Sequence, residues 1–187
     1  HNETTLNDII NLDLIQIINY LIQKDNFDEI TIYTEYIIDI IFNILLKINQ
    51  YKINKKENEK IEKNIAKITN NFNIYIKLLS SENLFLQEKV CSCLIYIIQF
   101  FPKIKFKDED IPYLIHGLEN GNEIIYKEMI IIFKYIIEHQ KDSKNLFKDY
   151  GTYIQICIEK IINISNNTSD IIKIAKEFLK RCLPKII

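Results

Sequence analysis

The sequence predicts an all-α fold of stacked helical repeats, because two stretches of the chain match each other at a fixed offset. Six pairs of similar residues are each 39 residues apart. The pairs are Leu79 and Leu118, Val90 and Met129, Leu94 and Phe133, Tyr96 and Tyr135, Ile97 and Ile136, and Ile98 and Ile137. A third copy follows 45 residues later, in which Ile174, Ala175 and Phe178 take the places of Met129, Ile130 and Phe133. A period near 40 residues with helical spacing inside each unit is typical of helical-repeat proteins.

The composition supports helices over strands. The 187 residues include three Gly and three Pro, which leaves few turns of the kind that β-hairpins need. The 44 Ile nominally favour strands, but Ile, Asn, Lys and Tyr all have AT-rich codons, so we attribute their abundance to genome bias. Periodicity outweighs these small intrinsic preferences, since burial of a helix face contributes more free energy.

Helical stripes account for the first half of the chain in order. Apolar spacing predicts helices over 6–22 and 29–48, and the early part of the second is the one place where a strand competes. Residues 50–58 are polar and predict a loop or an extended helix start. A mixed-charge helix follows over 57–68, in which Glu59 and Lys63 have the favourable i,i+4 spacing. A short apolar helix is predicted over 72–79.

The second half has clearer boundary signals. Ser81 leads into a strong helix that Pro102 stops, and Asp110 with Pro112 marks the start of a helix at 111 that ends between 117 and 121. Helices over 122–140, 143–148 and 152–164 follow. Thr168 or Ser169 caps the last helix, which Pro184 closes. We expect one domain over 1–187, with the clearest repeats at 72–110, 111–150 and 151–187.

From residue 72 onward the pattern resembles the armadillo/HEAT superfamily. The stretch 145–161 is similar to the armadillo junction, where a short helix meets a Gly and a second helix begins; Gly151 falls at that Gly. Asp110 takes the equivalent place one repeat earlier. Residues 1–70 match only loosely, through Ile41 in the role of Leu94. The resemblance implies a right-handed α-solenoid whose concave face binds a protein or peptide.

The same resemblance points to candidate binding positions. In armadillo proteins that bind extended peptides, the third helix of each repeat presents a Trp and, four residues later, an Asn to the concave groove. The corresponding residues here are Ser92 and Tyr96, Ile131 and Tyr135, Lys176 and Lys180, and, in the looser first copy, Asp39 and Asn43. Only Asn43 keeps the family's residue type, so an Asn ladder that reads a nuclear-import signal is not expected. A Tyr-lined groove is the prediction; the alternative is that both Tyr are ordinary half-buried helix residues.

The charge distribution argues against nucleic acid as a partner. The formal net charge is −1, which gives no overall field to attract a polyanion. Lys173, Lys176, Lys180 and Arg181 follow i, i+3, i+7 and i+8 spacing and share a helix face. This basic stripe suits an acidic partner, and the alternative is the solvated outer face of a terminal repeat.

No pattern in the sequence predicts catalysis, a cofactor or a metal site. It contains no phosphate-binding Gly loop, HExxH or nucleophile elbow. Asp108, Glu109 and Asp110 are consecutive and lack the spacing of a calcium loop, so we assign them to a helix N-terminus. Cys91 and Cys93 lie about 200° apart around a helix and do not converge on one ion.

We therefore expect a non-enzymatic scaffold or adaptor that binds a protein or peptide. The alternative is a regulatory or structural domain whose groove is covered by its own chain or by another copy, and the sequence leaves the oligomeric state open. No apolar run approaches the length of a membrane span, and four Cys in apolar stretches indicate reduced thiols in the cytoplasm. The first residue is His1 rather than Met, which suggests a piece of a longer protein.

Overall fold

A computed structural model of the chain describes residues 32–50, 72–164 and 169–187. The chain divides into two compact units, His1–Tyr75 and Ile76–Ile187. Within the described ranges every regular element is helical, so the all-α prediction is confirmed. The helices predicted over 6–22 and 57–68 lie outside the described residues.

The first unit is described through helix α1, Ile32–Gln50, and the start of α2, Phe72–Lys77, whose last two residues belong to the second unit. From residue 32 onward the predicted helix over 29–48 is therefore confirmed, and the described part of the competing strand is helical. The buried side chains of α1 recur at helical spacing, as the stripe predicts. They are Thr34, Ile37, Ile38, Ile41, Ile44 and Leu45.

The second unit continues from α2 with a 3-10 turn, Leu78–Ser80, and six further helices in the described ranges. Their bounds agree with the predicted elements to within a few residues. They are α3 Leu84–Phe100, α4 Ile111–Asn120, α5 Glu123–His139, α6 Ser143–Leu146, α7 Gly151–Ile164 and α8 Ser169–Arg181. Short 3-10 turns at Asp108–Asp110 and Leu183–Lys185 precede α4 and follow α8.

Helices α3 and α5 are copies of each other in length, capping and burial. Each has 17 residues, and each begins 39 residues from the other. Asn83 and Asn122 are their N-caps, and both side chains accept backbone N–H groups of the first turn. The exposed, half-buried and buried positions follow the same order over 89–99 and 128–138. The 39-residue match in the sequence therefore corresponds to a match in local structure.

Contacts between α3 and α5 show that these helices run in the same direction. Glu88 pairs with Asn122 near one end, and one turn later Ser92 pairs with Glu128. A residue further along α3 thus contacts a residue further along α5. Helix α4 lies between them in the chain and joins α5 through Gly121 and Asn122, and α4 also packs on α5.

The remaining packing has two series of neighbours. Helix α5 contacts α3 and also α8, so the three helices that carry the predicted repeat match are neighbours in order. Helix α4 contacts the 78–80 turn and also α7, which forms a second series. Helix α8 of the first series contacts α7 of the second series, and this contact joins the two series.

The predicted core positions in this unit are all buried. Phe133 and Phe147 have ring centroids 5.6 Å apart, and both side chains are fully enclosed. Buried positions of the repeat match include Leu79, Val90, Leu94, Ile97, Leu118, Met129, Phe133, Ile136 and Phe178, and Ile161 of α7 is buried as well.

Two glycines allow close approach of the backbone. A Cβ on Gly121 would lie 2.6 Å from the carbonyl oxygen of Gly117, so the α4–α5 connection accepts no side chain there. A Cβ on Gly151 would lie 3.1 Å from Cγ1 of Ile187 and 3.2 Å from the oxygen of Ile186. Gly151 is therefore suited to close packing under the last turn of the chain, and its φ is not in the left-handed region.

The third copy fits the structure one residue later than the sequence suggests. Helix α8 begins 46 residues after α5, and at this offset Ile171, Ala175 and Phe178 correspond to Ile125, Met129 and Ile132. All six are buried, whereas Ile174, the partner of Met129 at 45 residues, is half-buried.

Candidate functional site

The predicted binding positions fall on helices that pack side by side. Ser92 and Tyr96 lie one turn apart on α3, Ile131 and Tyr135 lie one turn apart on α5, and all four are half-buried. Lys176 and Lys180 are exposed on α8. We call these six predicted positions the repeat face. At the 46-residue offset Glu177 and Arg181, rather than Lys176 and Lys180, correspond to Ile131 and Tyr135. Because α3 contacts α5 and α5 contacts α8, the structure places the six on successive neighbouring helices.

The hydroxyl of Ser92 is engaged at the joint between α3 and α5. Its Oγ donates to Oε1 of Glu128 at 2.7 Å, while Oε2 of Glu128 is buried without a hydrogen-bond partner. Burial raises the pKa of Glu128 to about 7, Ser92 opposes the rise, and the neighbouring Glu88 adds to it. A carboxyl group close to half-protonated at neutral pH therefore lies directly beneath the repeat face.

Tyr135 is the repeat-face residue whose environment is most unusual. Its ring stacks against His139 one turn later, with ring centroids 4.7 Å apart. Its hydroxyl oxygen is buried and has no hydrogen-bond partner, and burial raises its pKa. An unsatisfied buried hydroxyl is unfavourable, and because this oxygen is enclosed by the protein, a partner on the surface does not reach it in this conformation.

The part of the repeat face on α8 is positively charged. Lys173, Lys176 and Lys180 are exposed and have no acidic partner among the described residues. Glu177 is half-buried between Lys134 of α5 at 3.6 Å and Arg181 at 3.2 Å, so its charge is already shared. This end of the face therefore carries excess positive charge.

Asp39 and Asn43, the candidates of the looser first copy, lie on α1 in the first unit. The Asn43 side chain donates to the Asp39 carbonyl oxygen at 2.8 Å and to the Asp39 carboxylate at 3.2 Å. The amide group of Asn43 is thus bound to its own helix.

The structure also contains a site that the sequence reasoning missed, an apolar groove of about 150 Å³ between α4 and α7. Tyr153, Ile156 and Ile164 of α7 line it and are exposed. The sequence does contain a sign of this groove: Ile residues occur all around α7, so some of them lie on its exposed side.

A second feature missed from the sequence is a buried amide that fixes the loop before α4. Gln140 donates from Nε2 to the carbonyl oxygen of Phe106 at 3.0 Å, and Oε1 accepts from the Phe106 N–H at 2.8 Å. Because Gln140 directly follows α5, this pair ties the loop before α4 to the end of α5. No sequence pattern distinguishes this Gln from a surface residue.

The groups considered for chemistry have structural roles in the described ranges. Asp110 accepts the N–H of Lys107 at 2.8 Å and closes the turn that leads into α4. All four Cys are free and buried, and burial raises the pKa of Cys91, Cys157 and Cys182. Within those ranges there is no cluster of three His, Cys, Asp or Glu able to hold a metal ion. None of the helices described is both long enough and apolar enough to cross a membrane.

Comparison of the chain with protein families, with curated proteins and with solved structures gives no match.

Proposed function

We propose that this chain is an armadillo/HEAT-like, right-handed α-solenoid that works as a non-enzymatic scaffold or adaptor for a protein or peptide. The observation that carries the proposal is the structural equivalence of α3 and α5, which share length, Asn caps and burial order at 39 residues. Repeated helices that pack in series form an extended surface, which is the usual means by which such proteins bind partners.

The proposed binding surface is the repeat face. Tyr135 offers a half-buried ring held by contact with His139, which is a property of an aromatic anchor. The unpaired Lys176 and Lys180 favour acidic residues at the neighbouring end of the partner. We therefore expect an extended segment that packs against Tyr135 and carries carboxylates over α8.

Other partners fit these features less well. The overall charge of −1 opposes binding of nucleic acid, whose affinity depends on many cation–phosphate contacts. Four buried, free thiols suit a reducing compartment, and we place the protein in the cytoplasm.

The test compares partner capture by the wild-type protein and by Tyr135→Ala, followed by titration of each captured partner. We expect Tyr135→Ala to weaken binding by about 2 kcal/mol, or roughly 30-fold in Kd. Lys176→Glu with Lys180→Glu should weaken the same partner further as salt is lowered, because like charges are then brought together.

The matched control is Tyr113→Ala, which removes a half-buried Tyr from α4, outside the repeat face and the groove. It should leave the Kd unchanged, and circular dichroism of all variants should match the wild type. A partner whose Kd is insensitive to Tyr135→Ala and to the double Lys substitution would show that the repeat face is not the binding surface.

A further inference from the structure

The groove between α4 and α7 is a second surface, and none of its lining residues belongs to the repeat face. Its floor is made of buried apolar side chains from both helices, Leu118, Cys157 and Ile161. Tyr126 of α5 also lines it, and burial raises the pKa of this Tyr. An apolar cavity of about 150 Å³ is large enough for a group of the size of benzene, so it accepts one large side chain.

The rim of this groove exposes an apolar stripe on α7. Tyr153 is 42% exposed, Ile156 is 55% exposed and Ile164 is 58% exposed. Single exposed apolar residues are ordinary, but three that line one groove form a contiguous patch. Such a patch on a folded protein indicates a surface that another molecule covers.

The groove carries one charge of each sign. Glu119 of α4 is half-buried and accepts a hydrogen bond from the Tyr153 hydroxyl, and Lys160 of α7 is exposed in the middle of the apolar stripe. Neither residue forms an ion pair with another described residue. The patch therefore offers both an acid and a base together with apolar groups.

We propose that a second copy of this chain covers the groove, in a two-fold dimer with α7 packed antiparallel on its counterpart. A two-fold interface uses the same patch twice, so the patch must be self-complementary. Antiparallel pairing about the middle of α7 sets the Ile164 end of one copy against the Tyr153 end of the other. Glu119 lies at the Tyr153 end, and there it meets Lys160 of the opposite copy.

The size of the patch sets the strength of this dimer. Helix α7 has 14 residues, or about 21 Å at 1.5 Å per residue. A contact of this length, together with the α4 rim, falls short of the roughly 1,200 Å² typical of stable complexes. Contacts of this size are typical of weak, transient complexes, so we expect the dimer to be weak and reversible.

Sedimentation equilibrium of the purified chain from micromolar to millimolar concentration tests the proposal. Ile156→Asp puts a charge in the apolar stripe, and we expect it to raise the dimer Kd by about 10-fold or more. The matched control is Phe85→Asp, because Phe85 is 56% exposed on α3 and lies outside the groove. This control should leave the Kd unchanged.

Charge exchange tests the two-fold geometry separately. Glu119→Lys and Lys160→Glu should each weaken the dimer by roughly 3–10-fold, because each places like charges together across the interface. The double exchange restores the opposite pairing and should return the Kd to within about 2-fold of the wild type. If the double variant dimerises as weakly as the single variants, the proposed geometry is overturned.

A chain that stays monomeric at millimolar concentration, or a dimer that Ile156→Asp leaves intact, would overturn the proposal. Binding of a different protein to the groove of a monomeric chain would also overturn it. None of these results bears on the repeat face, whose test is the effect of Tyr135→Ala on partner binding.

Discussion

The buried carboxyl group of Glu128 predicts that the protein loses stability as the pH rises through neutrality. Its folded-state pKa is about 7, whereas an ordinary Glu has a pKa of 4.5. Between these values the unfolded chain ionises and the folded chain holds its proton. The free energy of unfolding therefore falls with rising pH, by at most about 1.4 kcal/mol per pH unit. Below the lower pKa the proton is bound in both states and this effect is absent.

The magnitude follows from the two pKa values. Integrated from about pH 5 to about pH 8, the contribution of Glu128 is a loss of roughly 2.5 kcal/mol. Glu128→Gln removes the ionisation while its amide oxygen still accepts from Ser92. The difference in free energy of unfolding between the variant and the wild type should therefore shift by about 2.5 kcal/mol in favour of the variant from pH 5 to pH 8. This shift does not depend on how the two stabilities compare at about pH 5.

Urea unfolding of both proteins at a series of pH values measures this difference. The matched control is Glu138→Gln, because Glu138 is exposed on the same helix. Its stability difference from the wild type should vary with pH far less than that of Glu128→Gln. A Glu128→Gln difference that stays constant within about 0.5 kcal/mol between pH 5 and pH 8 would refute the reasoning.

Three further predictions concern the core, the anchor and the thiols. Phe133→Ala should lose roughly 3–5 kcal/mol of stability in urea unfolding, against less than about 1 for the exposed Phe85→Ala; similar losses would mean that the repeat register is wrong. Tyr135→Phe removes an unsatisfied buried hydroxyl and should leave stability equal or up to about 1 kcal/mol higher, and a loss above 1 would mean that the hydroxyl has a partner. Thiol labelling of native protein at Cys91 should be much slower than labelling in urea, and equal rates would contradict its burial.

The sequence predicted the helices of the second half well because their signals are local. Asn122 and Pro112 each mark a helix start through hydrogen bonds or a fixed φ that depend on a few neighbouring residues, and Ser81 lies two residues before the cap Asn83. The spacing of Leu94 and Phe133 likewise reports which side of each helix is buried. Such features can be identified without knowledge of the packing.

The features that could not be predicted depend on what faces a residue across an interface. Glu128 is an ordinary helix residue in the sequence, and its pKa is raised because α3 buries it beside Glu88. The exposed Ile156 is apolar like its buried neighbours, so only the packing of α4 separates rim from core.

The central claim is that α3 and α5 are equivalent units stacked in the same direction, and distances between spin labels test it most directly. Pairs of labels at Phe85 and Ile124, and at Gln99 and Glu138, use exposed equivalent positions near the two helix ends. Pulsed EPR should give the same short separation for both pairs, since parallel neighbours keep an interaxial distance of about 8–10 Å. The positions within each helix are about 21 Å apart along its axis. Pair distances that differ by a comparable amount would contradict the stacked-repeat account.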